Sequence, residues 1–290
     1  MRSVLITGAT GYFGQGMVKH LLTQPNVERI CIYSRDEAKQ AAMRQAIADP
    51  HDRLRFFIGD VRDKDRMTRA MAGIELVIHS AALKRVEVGE NDTAEMIKTN
   101  VMGTMNMIEA ATAAGVKKVV ALSTDKACQP RNAYGASKLL LEKLVLGANN
   151  ARGANGPRLS CTRYGNVANS TGSVIPTWRA IFDSPDRTKQ FNVTSIDATR
   201  FWMTLQEAID LVLDTAKTMH GGELVIPDLP AYRLYDLIDA MGLFDTGHTP
   251  NITGLTIGEK LHERLKEDGP DSSQVRRLTV DELKERLASI

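Results

Sequence analysis

The sequence has little of what marks cross-linked, membrane-spanning or nucleic-acid-binding proteins. Its three cysteines in 290 residues, Cys31, Cys128 and Cys161, stand apart, with neither paired metal spacing nor the even count of a disulfide framework. They predict reduced thiols, with Cys31 and Cys161 buried in strands, and no metal centre. The formal net charge is only +2, with both signs scattered, so no basic face predicts a nucleic-acid partner. No apolar run approaches membrane-spanning length. The glycine-rich segment that begins at Gly8 leaves no room ahead of it for a secretory signal, and the expectation is a cytoplasmic protein with no membrane partner. Repeats and low-complexity linkers are also missing.

What is present is a hydrophobic fraction of 43%, enough for a sizeable core, and alternating strand and helix patterns through about the first 170 residues. That alternation predicts an α/β chain with a doubly wound, Rossmann-type parallel sheet. Apolar runs at 3–7, 29–33, 54–58, 76–79 and 118–122 read as its strands. The first closes on Gly8-Ala-Thr-Gly11-Tyr-Phe-Gly14, followed by a helical run with Met17, Val18, Leu21 and Leu22. Glycines between a first strand and a first helix let the backbone turn tightly and approach a pyrophosphate at the helix N-terminus. Gly8, Thr10, Gly11, Tyr12, Phe13 and Gly14 are therefore candidate dinucleotide contacts.

At the tip of the second strand stand Ser34, Arg35 and Asp36. An acid there favours a free ribose 2′-hydroxyl, whereas Arg or Ser suits a 2′-phosphate. Arg35 tilts the expectation to NADP, with NAD as the alternative; an ordinary surface arginine is the competing explanation. Asp60 and Val61 after the third strand are expected at the adenine, unless Asp60 caps the next helix. Ala81 and Ala82 leave room for a cofactor beside the fourth strand. Met96, Met102, Met105 and Met107 fall at helical spacing beside Ile97, Val101 and Ile108 and predict core packing.

The most telling stretch is Ser123-Thr-Asp-Lys126 followed by Tyr134-Gly-Ala-Ser-Lys138. It sets an acid, an amine and a phenol beyond the carboxyl end of a buried strand, the edge where open α/β sheets bind ligands. Tyr134 and Lys138 are four residues apart on a helix and share a face. An ammonium beside a phenol lowers its reference pKa from about 10 toward neutrality, making Tyr134 a candidate base for an alcohol. After Asn169 the pattern loosens, with breaks at Gly172, Pro176, Pro185, Pro227, Pro230 and Pro250. The expected division is residues 1–169 for the cofactor, with later elements returning to the sheet, and 170–290 mainly for substrate. Thr279-Val-Asp-Glu282 reads as a capping box opening a final helix.

Taken together, these residues resemble an extended short-chain dehydrogenase/reductase and, more narrowly, the inverting UDP-N-acetylglucosamine 4,6-dehydratases of pseudaminic acid and capsule-sugar biosynthesis. The resemblance runs from residue 2 to about Lys266. It rests on Thr7 to Gly14, His79-Ser-Ala-Ala-Leu-Lys84, Lys98-Thr-Asn-Val101, Ser123 to Ala127, Tyr134 to Lys138, Arg163-Tyr-Gly-Asn-Val167, Gly172-Ser-Val-Ile-Pro176, Thr199-Arg-Phe-Trp-Met-Thr204 and Gly258-Glu-Lys-Leu-His-Glu263.

The resemblance implies a lyase that oxidises the sugar at C4, eliminates water across C5 and C6 and returns hydride to C6 with C5 inversion. The product would be UDP-2-acetamido-2,6-dideoxy-β-L-arabino-hex-4-ulose. It assigns Tyr134, aided by Lys138, to the O4 proton, Lys126 to the C5 proton, Asp125 to the departing C6 hydroxyl and Thr124 to O4 or the phenol. A lysine base must be neutral, so the pKa of Lys126 is expected below its reference of about 10.4. Lys84 is implied at cofactor or substrate phosphate. Asn100 belongs with the cofactor side and has a supporting role. Asn166, Ser173, Val174, Arg200 and Glu259 are implied at the sugar nucleotide, with Arg200 either clamping the diphosphate or bracing its loop, and Lys260 beside them.

Thr256-Ile257 replaces the Arg-Pro usual in that family, and the chain ends soon after the last motif. A UDP-sugar 4-epimerase, a retaining or 5,6-ene-forming dehydratase, and a dinucleotide-binding regulator or scaffold remain open alternatives. Retention of Thr124, Asp125, Lys126, Tyr134 and Lys138 argues against the last. A homo-oligomer, at least a dimer, is expected through helices near 101–114 and 139–146.

Overall fold

Strands that are apolar at every position require a sheet covered on both faces, and the chain builds one. The computed structural model describes every residue except 185, 187, 188, 247, 248 and 257; Pro185 and Ile257, singled out above, lie outside the described residues. The first part runs β1 (Ser3–Thr7), α1 (Tyr12–Leu22), β2 (Arg29–Ser34), α2 (Glu37–Ala46), β3 (Leu54–Ile58), α3 (Lys64–Ala70), β4 (Leu76–His79), α4 (Val86–Asn91), α5 (Thr93–Met96), a π-helical segment (Ile97–Met102), α6 (Gly103–Ala113), β5 (Lys118–Thr124), a 3₁₀ turn (Asp125–Ala127), α7 (Ala133–Gly147) and β6 (Arg158–Tyr164). The second part runs β7 (Asn166–Val167), α8 (Val174–Phe182), β8 (Phe191–Val193), β9 (Thr199–Met203), α9 (Leu205–Thr218), β10 (Leu224–Val225), β11 (Ala231–Arg233), α10 (Leu234–Ala240), β12 (Pro250–Ile252) and α11 (Val280–Ala288).

The main sheet has seven strands in the order β10-β6-β5-β4-β1-β2-β3, all paired in parallel. The strand order reverses between β1 and β4, and a crevice opens there beyond the carboxyl ends. Side chains one residue apart pass to opposite faces. Val4, Ile6, Ile30, Ile32, Ile78, Val120 and Leu122 join one core layer, and Leu5, Cys31, Tyr33, Val77, Val119 and Ala121 the other. The second part returns two elements to this sheet. Strand β10 extends it beside β6, and α9 packs Ala208, Ile209 and Val212 into the layer holding Met17, Val18 and Leu21 of α1. A capping box holds the start of α9: Glu207 N–H donates to Thr204 Oγ1, and Thr204 N–H to the Glu207 carboxylate.

The remaining strands form a three-stranded sheet, β11-β9-β7, and a two-stranded sheet, β12-β8. Their core is aromatic: Trp178 meets Phe191 edge-on at 5.5 Å, and Trp202 meets Tyr232 at 5.6 Å. Thr279 and Glu282 form the expected reciprocal cap on α11.

Two expectations change. Met96 and Met107 are fully buried, but Met102 and Met105 are 53% and 44% exposed. The π-helical segment and α6 turn these two, with Ile97, outward. Pro176 does not break the chain, because it sits in the first turn of α8, where its missing N–H has no intrahelical partner to lose. Strand β5 runs through Ser123 and Thr124, and Asp125 and Lys126 lie just beyond its carboxyl end, as expected. All three cysteines are free and buried, Cys128 as well as the two in strands. Among the described residues, no helix is long and apolar enough to cross a membrane and no cluster would hold a metal ion.

Candidate active site

The crevice begins at the glycine turn. Gly8 has φ +68°, and a Cβ on it would lie 2.8 Å from Ala81 Cα, so the turn requires glycine both for its conformation and for its contact with the exit of β4. A Cβ on Gly14 would lie 2.5 Å from Ala9 Cα, which lets α1 press directly on the turn. Gly11 precedes α1 without a side-chain cap, leaving the first N–H groups of the helix open toward the crevice. A cradle in which side chains would clash and a helix start without its own acceptor fits a dinucleotide pyrophosphate. Thr10, Tyr12 and Phe13 line the same wall.

Ser34 and Arg35 line the crevice at the tip of β2, joined by Lys39. Asp36 lines the same wall, and its carboxylate accepts from Lys39 N–H at 2.9 Å and caps α2. Asp60 does not cap α3, a task that falls to Asp63. It accepts from the Arg62 guanidinium at 2.7 and 3.0 Å and lies 3.7 Å from Arg35. Burial resists its ionisation, yet the bonds from Arg62 and the charge of Arg35 hold it below the usual carboxylate range. Val61, Ala81, Ala82 and Lys84 line the crevice, with Lys84 Nζ donating to the Thr171 carbonyl at 3.0 Å. Asn100 does not reach it. Fully buried in the π-helical segment, it receives Leu83 N–H, donates to Leu83 O and donates to Ser137 Oγ, each within 2.9 Å. It thereby pins the loop after β4 to α7.

His79 is a brace the sequence did not announce. Its ring lies between Thr7 Oγ1 at 2.9 Å and Thr104 Oγ1 at 3.3 Å, and Thr7 Oγ1 also accepts Ala81 N–H. Complete burial, and secondarily the charge of Lys138, push its pKa down to about 3, so it is a neutral strut.

The reactive groups gather where β5 meets α7. A Cβ on Gly135 would lie 2.2 Å from Lys126 O, so α7 rests on the backbone of the 3₁₀ turn and brings Tyr134 alongside Lys126. Thr124, Lys126, Tyr134 and Lys138 all line the crevice. Asp125 lies directly behind them, fully buried, its Oδ1 accepting from Thr124 Oγ1 at 2.8 Å and from Lys126 Nζ at 3.0 Å, while Oδ2 has no hydrogen-bond partner.

Two electrostatic expectations are overturned. Lys138 donates to Leu122 O at 2.7 Å, and burial pulls it down to about 8 against Cys161 and Glu142. It does not lower the Tyr134 phenol. Burial pushes that phenol up to about 12, and the cation opposing the rise is Lys126. Lys126 itself does not fall: burial lowers it, but Asp125 and Glu263 outweigh burial and the nearby Arg200, and it is held firmly as an ammonium.

The second part of the chain closes the site. Asn166 and Ser173 line the crevice, with Asn166 Oδ1 accepting from Lys126 Nζ at 3.4 Å. Val174 opens α8 next to Ser173, outside the crevice wall. Arg200 is 8% exposed and donates to Thr199 O and Leu261 O, which makes it a brace in this arrangement. Glu259 accepts Thr256 N–H within its own turn. Lys260 donates to Cys128 O at 2.6 Å. Glu263, embedded in a quoted motif but given no role by the sequence, is 3% exposed and lies 3.5 Å from Lys126 Nζ. Its only sequence signal was its place in that motif. Beneath the site, Glu142 of α7 holds Arg163 of β6 bidentately and accepts from Ser123 Oγ, tying three elements together.

Comparison with known proteins gives a consistent result. Residues 4–280 match the family described as polysaccharide biosynthesis protein. A UDP-N-acetylglucosamine 4,6-dehydratase (inverting) from Campylobacter jejuni is 44% identical over 262 residues, covering 90% of this chain and 76% of the relative. A UDP-glucose 4-epimerase from Rickettsia conorii is 39% identical over 268 residues, covering 91% and 77%. Among solved structures, Pen from Bacillus thuringiensis superposes with a TM-score of 0.93 at 31% identity, covering all of this chain and 98% of that one.

Proposed function

The chain belongs to the polysaccharide biosynthesis protein family, and within it we propose a UDP-N-acetylglucosamine 4,6-dehydratase of the inverting type, built on an extended short-chain dehydrogenase/reductase fold. The observation that carries this reading is the Asp125–Lys126 pair, Nζ to Oδ1 3.0 Å, set beside Tyr134 in one crevice. An oxidation and return at C4 needs the phenol alone. A paired acid and amine are what elimination across C5 and C6 requires.

Residues 1–169, with α9 and β10, form the cofactor-binding part, and 170–290 contribute mainly to the sugar nucleotide. The glycine turn and the open start of α1 hold the pyrophosphate, and Ser34, Arg35 and Lys39 receive a 2′-phosphate, so NADP is the proposed dinucleotide. When bound in its oxidised form, it supplies a hydride acceptor for C4, a hydride donor for C6 and added positive charge beside Tyr134.

Tyr134 is placed to take the O4 proton as its phenolate, with the Lys126 cation opposing the rise that burial causes in its pKa. Thr124, whose hydroxyl donates to Asp125 Oδ1 at 2.8 Å, favours the phenolate from beside it. Oxidation at C4 acidifies the C5 hydrogen, and Lys126 is the base that faces it. Asp125 gives its proton to the C6 oxygen, which leaves as water. Buried behind Lys126, Asp125 exchanges protons with that amine more readily than with bulk solvent. Asn166 and Ser173 hold the sugar nucleotide across the crevice.

Incubation of UDP-N-acetylglucosamine with the enzyme and catalytic NADP in deuterated water, followed by NMR and mass spectrometry, tests the proposal. Loss of one water with deuterium at C5 and an inverted 4-keto-6-deoxy sugar is the expected result. An unchanged composition with altered C4 configuration would replace it with a 4-epimerase, and no turnover would remove this substrate.

A further inference from the structure

Glu263 lies on the segment that follows β12, 137 positions away in sequence from Lys126 (263 − 126), yet its carboxylate is buried against the reactive amine. Oε1 stands 3.5 Å from Lys126 Nζ, and Oε2, which makes no hydrogen bond, is 3.6 Å from Lys260 Nζ. Its backbone N–H donates to Ser272 Oγ, a hydroxyl that also contacts Thr199. A carboxylate this deeply buried and incompletely paired is expensive to keep ionised. Folding places it there nonetheless, within reach of one catalytic cation and one neighbouring lysine.

We propose that Glu263 is a positioning residue that sets the proton affinity of Lys126, stabilising the ammonium created when the C5 proton is removed. This rests on the dehydratase reading. In the elimination, the C5–H bond breaks and its proton forms a bond to Lys126 Nζ. The released electron pair becomes the C5–C6 double bond, and the C6–O bond breaks. The oxygen takes a proton from Asp125 and leaves as water. The pair thus begins as amine and carboxylic acid and ends as ammonium and carboxylate. The end state matches the arrangement seen here, with Lys126 between Asp125 Oδ1 at 3.0 Å and Glu263 Oε1 at 3.5 Å. Passage of the Lys126 proton back to Asp125 resets the pair for the next turnover.

Removal of the C5 proton creates positive charge on Lys126, and one carboxylate is already committed to acid catalysis. Glu263 supplies the second counter-charge without taking part in proton transfer to substrate. The other groups facing Lys126 are Arg200 from β9, which opposes the ammonium, Tyr134 from α7, and Asp125 itself. Tyr232 from β11 senses the charges of both Lys126 and Arg200. Lys260 moderates Glu263 from the far side.

Glu263→Gln keeps the volume and removes the charge. Activity requires one proton on the Asp125–Lys126 pair, and the pair titrates as a unit. Without Glu263 that proton is lost at lower pH. C5 deuterium exchange followed across the neutral and alkaline range is expected to develop an alkaline limb moved down by roughly one to three pH units. KM is expected to stay within about twofold of the parent. Glu263→Asp, which keeps the charge, restores most of the profile. An unchanged profile in Glu263→Gln overturns the inference, whatever its thermal stability, since a purely structural residue does not move a titration. Should Glu263→Gln fail to fold, Glu263→Asp carries the test with a smaller shift of the same sign. Should the parent show no C5 exchange, the dehydratase reading fails. The counter-charge is then read from the pH dependence of amine-reagent labelling on the peptide containing Lys126: onset at lower pH in the variant supports it, and the same onset overturns it.

Discussion

The two parts of the molecule build their shares of the site by different means. In the parallel-sheet part, recognition is made of backbone: a left-handed Gly8, a Gly14 pressed on Ala9 and an uncapped start to α1. In the part after Asn169, the contribution is charge carried on buried side chains, with Arg200 of β9 and Glu263 of the segment after β12 converging on Lys126. Backbone recognition tolerates little sequence change but needs only local order. Charge brought from a distant part of the sequence needs the whole tertiary structure. Under the proposed function, the first part fixes where a dinucleotide lies, and the second tunes what the amine beyond β5 does.

The largest way to break this contrast is Lys126→Ala. Loss of the amine is expected to abolish C5 deuterium exchange, a fall of about a thousandfold or more, while cofactor binding measured by fluorescence titration stays intact; exchange at the parent rate would remove Lys126 from its role. Next is Trp178→Ala, which empties the aromatic core of the second part. A side chain 2% exposed and packed edge-on against Phe191 is worth about 3–5 kcal/mol on truncation. Chemical denaturation is expected to register that loss as the second part loosening first, with cofactor affinity retained. A loss of cofactor affinity in step with unfolding would mean that the two parts do not separate.

His79 sharpens the contrast from within the sheet. Its folded pKa of about 3 lies below the usual histidine value, so the unfolded chain takes up a proton that the folded site refuses. Stability is complete above about pH 6.5 and is lost as the pH falls toward 3, by about 1.4 kcal/mol per unit at the steepest. Denaturation at pH 5 and at pH 7 measures this, and His79→Asn is expected to flatten the difference. The smallest effect is expected at the ribose. Arg35 is 52% exposed and shares Asp60 with Arg62, so Arg35→Ala is expected to reduce the preference for NADP over NAD by about tenfold. An unchanged ratio of the two affinities would assign the choice to other residues.

Most of the sheet was legible because its signals are local. Strands β1, β3 and β4 fall on the residues that the apolar runs define, and the capping box at Thr279 to Glu282 forms as its spacing requires. Met102 and Met105 were misplaced because helical spacing identifies a shared face without saying which side meets the core, and the π-helical segment rotates that face. Pro176 misled because proline ends a helix from its interior but is accommodated in its first turn. The electrostatics of Tyr134 and Lys126 were misjudged for another reason. A spacing of four residues places Lys138 on the face of Tyr134, but the amine turns to Leu122 O, and no spacing rule reports Glu263.

By itself, then, the sequence determined the strand tips, the glycine turn and the identity of the acid, amine and phenol, because each depends on neighbours a few residues away. The tertiary structure alone decided the charge environment of the amine and the phenol. Charge acts through space, and only the folded chain brings Glu263 and Arg200 to Lys126, buries Asp125 behind it and seals His79 from water.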